Sequence, residues 1–133
     1  MILIVDDEPG IREALRRSLV QRGFEVSTAA NPADALELLQ LARPAAIILD
    51  IRMPDPTGRM RSGLDLLRFL RGQSEYATLP VLVLTGHLLT EEEQVTLQSC
   101  RAKVLYKPLE LHRLSEHLAA LSSPSGGNAI SSD

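Results

Sequence analysis

The sequence has no tryptophan, and aromatic residues make up only 3% of its 133 positions. Platforms on which bases or sugars stack need several rings, so recognition of that kind is not expected. A single cysteine, Cys100, rules out an internal disulfide, and His87, His112 and His117 are too scattered for a zinc-ligand spacing. Cys100 reads instead as a buried thiol at a helix end. Basic charge is also short: the formal net charge is -3. Broad affinity for nucleic acid or an anionic membrane depends on a basic surface that releases counterions, so neither is expected. Long apolar runs are missing too. "MILIVDDE" turns acidic too early for a signal peptide, and no window approaches the roughly 20 apolar residues of a membrane span. A cytoplasmic protein is the expectation.

What is present is aliphatic. Hydrophobic residues reach 44%, and the length suits one domain with a core of Leu, Ile, Val and Ala. Short apolar runs recur at Ile2 to Val5, Glu25 to Ala29 (the weakest), Ala46 to Leu49, Val81 to Leu84, and Val104 to Tyr106. They are continuous rather than alternating, as expected of strands buried on both faces of a parallel sheet.

Helix-period segments lie between the runs. Ile11 to Arg22 carries Ile11, Ala14, Leu15, Ser18 and Leu19 on one side and stops at Gly23. "NPADALELLQLA" opens with Asn31 as N-cap and Pro32 at the first helical position. "SGLDLLRFLRG" offers Ser62 as cap, and "TEEEQVTLQSC" holds a capping box of Thr90 and Glu93. "ELHRLSEHLAAL" places Leu111, Leu114, Leu118 and Leu121 on one stripe. Five strand-then-helix repeats predict an α/β doubly wound sandwich with helices on both faces. The domain is expected over 1–121, and the Ser/Gly-rich residues 122–133 read as a flexible tail or linker.

In open α/β sheets working groups gather at the carboxyl ends of the strands. Asp6, Asp7 and Glu8 follow the first run, Asp50 the third, Thr85 and Gly86 the fourth, and Lys107 and Pro108 the fifth. Taken singly, each has an ordinary explanation as a helix cap, a turn former or an exposed lysine. Together they describe a site. Carboxylates brought into one cleft repel one another, and a divalent cation relieves that repulsion. An all-oxygen ligand set suits Mg²⁺, which favours phosphate oxygens as its remaining ligands. Lys107 then supplies a charge and Thr85 a hydroxyl for phosphate oxygens, leaving a carboxylate free to attack.

"ILIVDDEPGIREAL", "IILDIRMPD", "VLVLTG" and "KVLYKPL" closely resemble the receiver domain of bacterial two-component response regulators. The resemblance implies a flavodoxin-like (βα)5 fold whose parallel five-stranded sheet has the order 2-1-3-4-5. It implies that Asp50 accepts a phosphoryl group from a histidine kinase or phosphotransfer protein. Mg²⁺ would be held by Asp6, Asp7, Asp50 and the backbone carbonyl of Arg52. Thr85 is cast as the switch hydroxyl, Lys107 as the phosphate partner, and Lys107-Pro108 as a cis peptide. Such a domain is not a turnover enzyme: it catalyses its own phosphorylation and dephosphorylation and passes the signal to a downstream protein. The resemblance leaves open a homodimer through the face of the fourth helix, last strand and last helix.

Three departures stand out. The aromatic residue usual three positions before the lysine is replaced by Val104, with a ring instead at Tyr106. The common Gly-Ala before the last strand is Cys100-Arg101. The family's M-P-x-M-D-G becomes "MPDPTGRMRSG", so that Gly58 or Gly63 can stand for the motif glycine with five residues extra. Ser62 as cap favours a loop over 54–61; a helix running back to Thr57 would hold Gly63 in its interior. The insertion reads first as a solvated basic loop. In the functional alternative Arg59 and Arg61 would overhang the pocket and attract an anionic phosphodonor or an acidic partner face. The side chains of Arg52 and His87 would tune the phosphoryl lifetime. Two alternatives remain: a pseudo-receiver that acts unphosphorylated, and a phosphatase of the haloacid dehalogenase type. The latter expects D-x-D after the first strand, where this chain has Asp6-Asp7-Glu8-Pro9.

Overall fold

The computed structural model describes residues 1–51, 62–86 and 88–106, together with Glu116, Leu118 and Ala119. Arg52, the expected loop over 54–61, His87, Lys107, Pro108 and the expected tail over 122–133 lie outside the described residues, as does most of the expected last helix.

The strands are β1 (Ile2–Val5), β2 (Val26–Ala29), β3 (Ala46–Leu49), β4 (Val81–Thr85) and β5 (Lys103–Tyr106), and the helices α1 (Pro9–Gln21), α2 (Pro32–Leu41), α3 (Gly63–Arg71) and α4 (Glu91–Ser99). All strand pairs are parallel, in the order β2-β1-β3-β4-β5. This is the order that the resemblance implied. The boundaries differ by a residue or two: Thr85 ends β4 rather than following it, because its backbone continues the pairing with β5 opposite Tyr106.

Two cores explain the unbroken apolar runs. Leu3, Val5, Ile47, Leu49, Val81 and Val83 face a cluster that includes Leu39, Leu66, Leu67, Leu70 and Leu97 from α2, α3 and α4. The alternate residues Ile2, Ile4, Ala46, Ile48, Leu82 and Leu84 face Leu15 and Leu19 of α1 and Leu118. Successive strand side chains point to opposite faces, so each run must be apolar throughout. Leu118 is fully buried, in keeping with its place on the predicted apolar stripe.

The caps follow the sequence. Asn31 Oδ1 accepts from the Asp34 N–H at 2.9 Å, and Ser62 Oγ from the Leu64 N–H at 3.2 Å. Thr90 and Glu93 form the reciprocal box. Asp65, in the first turn of α3, pairs with Arg68 at 3.2 Å. α1 starts differently: its N-cap is Glu8, which makes no side-chain cap, and Pro9 opens the helix.

Between α3 and β4 lies a turn of 3₁₀-helix, Ser74–Tyr76, that periodicity does not announce. Tyr76 is buried there and its hydroxyl donates to the Leu39 carbonyl at 3.2 Å.

Candidate functional site

The acid cluster is assembled by register. β1 lies beside β3, with Val5 paired to Leu49, and the Asp50 N–H donates to the Val5 carbonyl at 3.0 Å. Asp6 and Asp50 therefore leave neighbouring strands side by side. Carboxylate oxygens of Asp6, Asp7 and Asp50 all lie within 4.8 Å of one another. Asp6 and Asp50 are buried, whereas Asp7 is exposed.

Local bonds hold this cluster in shape. Asp6 Oδ1 accepts from the Glu8 N–H at 2.9 Å, and the Asp6 carbonyl accepts from Arg12 at 2.8 Å. The Asp6 N–H donates to the Ala29 carbonyl at 3.1 Å, tying the first residue after β1 to the end of β2. Sequence reasoning passes over Arg12, because nothing in helical spacing tells that its side chain turns back from α1 onto the Asp6 carbonyl.

Three carboxylates so close, two of them buried, repel strongly where water is thin. The donor set is all oxygen and one member faces solvent. These features fit a hard divalent cation that keeps some of its waters, and Mg²⁺ meets that description. Asp6, Asp7 and Asp50 are the side chains that would hold it; the expected fourth ligand, the Arg52 carbonyl, lies outside the described residues.

Thr85, at the end of the next strand, is fully buried. The register that pairs Leu49 with Val83 carries Thr85 beyond the end of β3, toward the Asp50 side of the sheet. Its partner on β5 is Tyr106, which is 53% exposed, while Val104 pairs with Val83 and packs partly buried against the α4-side core. Lys107, expected to complete the site, lies outside the described residues.

Gly58 lies outside the described residues, whereas Gly63 abuts the site. Its N–H donates to the Ile51 carbonyl at 3.0 Å, and a Cβ there would run into the Asp50 carbonyl. Ile51, just after β3, thus lies against the start of α3. The helix begins after Ser62, as its cap residue predicted.

A family model described as "Response regulator receiver domain" matches residues 2–119. The chain belongs to the response regulator receiver family. A receiver of this kind is part of a two-component system, and the site just described occupies the expected end of its sheet. Among curated relatives, the response regulator MprA of Mycobacterium tuberculosis is 38% identical over 120 residues, which cover 90% of this chain and 49% of the relative. The chain spans about half the length of the curated relatives it matches. Solved receivers agree in fold. The signal receiver domain of a signal transduction histidine kinase from Syntrophus aciditrophicus superposes with a TM-score of 0.80 at 34% identity, covering 99% of this chain and 95% of that one. The chemotaxis protein CheY4 of Vibrio cholerae gives 0.78 at 32% identity, covering 90% and 96%. Among the described residues, no helix is long and apolar enough to cross a membrane.

Proposed function

We propose that this receiver is a phosphorylation-activated switch in which Asp50 takes a phosphoryl group from a histidine kinase or phosphotransfer protein. The observation that carries the reading is the convergence of Asp6, Asp7 and Asp50 at the carboxyl ends of β1 and β3, with Thr85 buried at the end of β4. An Asp50 carboxylate oxygen would attack phosphorus as the N–P bond of a phosphohistidine breaks, giving an acyl phosphate and releasing the imidazole. Mg²⁺ at the acid cluster would neutralise charge on the transferring group. Asp6 and Asp7 hold that charge in place, Thr85 donates its hydroxyl to a phosphate oxygen, and Lys107 supplies a fixed cation.

The chain acts stoichiometrically on itself and loses the group by self-catalysed hydrolysis. Its relatives carry receivers in two settings, a response regulator about twice as long and a histidine kinase, so the output belongs to a partner or to an attached domain. Relocation of Thr85 toward the phosphoryl group would alter the surface offered by α4 and β5. The half-exposed Tyr106, opposite Thr85 in register, is the ring nearest in sequence to that end of the site. The setting is cytoplasmic.

Intact mass after incubation with Mg²⁺ and acetyl phosphate tests the reading. The gain of one phosphoryl group, lost in Asp50→Asn, is expected. No gain with any donor would favour an unphosphorylated interaction module, and multiple turnover of small phosphomonoesters would favour a phosphatase.

A further inference from the structure

The end of the sheet away from the acid cluster carries the opposite charge. Arg43 precedes β3, Arg71 ends α3 and Arg101 precedes β5, and all three reach the turn at Ser74–Tyr76. Arg43 donates to the Glu75 carbonyl, Arg71 to the Tyr76 carbonyl at 2.9 Å, and Arg101 to the Ala77 carbonyl at 2.8 Å. Three successive carbonyls thus line up three guanidinium groups from three separate elements. Arg71 also donates to the Cys100 carbonyl at 2.6 Å.

These cations differ from the other arginines near acids. Arg16 and Arg17 share Glu13, and Arg68 pairs with Asp65. Among the described residues, Arg43, Arg71 and Arg101 make no ion pair with a carboxylate. Burial pushes the Arg71 pKa below its usual value, and the neighbouring charge of Arg101 pushes it the same way. Arg43 and Arg101 are exposed. Each guanidinium carries five N–H donors, and the turn occupies only part of them.

We propose that Arg43, Arg71 and Arg101 form a docking site for a segment of a partner protein bearing two or more carboxylates. Guanidinium forks match carboxylates, and a row of cations held by successive carbonyls suits acids spaced along a chain. A compact phosphate is a poorer match. The carbonyl ends of α3 and α4 come here and oppose any anion, so a ligand must engage several guanidinium groups together, as acids spaced along one segment do. Nucleic acid is disfavoured by the net charge of -3 and by the burial of Tyr76, the ring on this turn. Glu75 is the acid on the turn itself and opposes the ligand.

The test is an NMR titration of the full chain with an acetylated hexaglutamate peptide, at low and at physiological salt. Saturable shifts confined to residues 42–45, 70–79 and 100–103, weakening with salt, are expected. The double variant Arg43→Gln, Arg101→Asn should bind about tenfold more weakly, in line with the loss of two exposed pairs; asparagine tolerates the left-handed backbone at 101. Glu75→Gln should bind about twofold more tightly, which no unfolding artefact would mimic. Phosphoryl uptake at Asp50 should not change in either variant. Unchanged affinity in the double variant, or shifts spread over the whole surface, would overturn the proposal. Equal saturating shifts with inorganic phosphate would replace it by a simple anion site.

Discussion

Gly63 lies against the backbone of Asp50 with no room for a side chain: a Cβ would stand 2.9 Å from the Ile51 Cα and closer still to the Asp50 carbonyl oxygen. Atoms of that kind cannot give way as the end of a flexible side chain can. Gly63→Ala should therefore destabilise the fold by about 1–3 kcal/mol, the range for forced overpacking. Because the displaced atoms belong to Asp50, phosphoryl uptake should fall as well. Urea unfolding and mass spectrometry of the same preparation check both effects. Unchanged stability would show that α3 can start from another position.

Arg101 adopts φ 58°, in the left-handed region, at the place in α4 where α1 has Gly23 at φ 95°. The two helix ends share a bonding pattern. Phe24 and Gly23 donate to the carbonyls of Leu19 and Val20, as Ala102 and Arg101 do to those of Leu97 and Gln98. A β-carbon in this conformation costs about 1–2 kcal/mol, part of which glycine gives back through unfolded-state entropy. Arg101→Gly should accordingly be more stable than Arg101→Ala by roughly 1 kcal/mol. The comparison is between two variants that both lose the bond to Ala77, so chemical denaturation isolates the backbone effect.

Asp7 is the exposed member of the acid cluster, so it can be changed without disturbing the core. Asp7→Asn removes one of three mutually repelling carboxylates at an exposed position, so metal-free stability should not fall. The wild-type chain should gain about 2.7 kcal/mol when Mg²⁺ is present at a hundredfold excess over its dissociation constant. That gain should be largely absent in the variant. Thermal unfolding with and without Mg²⁺ decides, and an equal gain in both would place the ion elsewhere.

Glu13 is bonded to Arg16 and Arg17, and the Arg16 hydrogen bond chiefly lowers its pKa from 4.5 to about 2. A carboxylate whose pKa falls on folding stabilises the folded state above its unfolded pKa. The contribution is lost as the pH drops from about 4.5 toward about 2. The group is exposed, so salt should screen the effect. NMR titration of the Glu13 carboxyl should show a low midpoint that rises with ionic strength; an ordinary midpoint at low salt would show that the pair does not persist in solution.

Much of this was legible in the residues themselves. Runs such as Ile47-Ile48-Leu49 had to be strands buried on two faces, and acids placed directly after them had to meet at one end of a parallel sheet. Ser62 and Thr90 marked their helix starts because a hydroxyl can satisfy N–H groups that the helix leaves unpaired. What sequence could not reveal depends on where side chains go in space. Arg12 folds back to the Asp6 carbonyl, and Arg43, Arg71 and Arg101 arrive at one turn from positions far apart in the chain. Nor could spacing foresee how closely Gly63 approaches the Asp50 carbonyl, since that backbone contact exists only in the fold.

The bond from the Gly63 N–H to the Ile51 carbonyl joins the two ends of the segment between them. The start of α3 and the end of β3 are thus stitched into one corner, so any displacement of α3 is passed directly to the backbone beside Asp50.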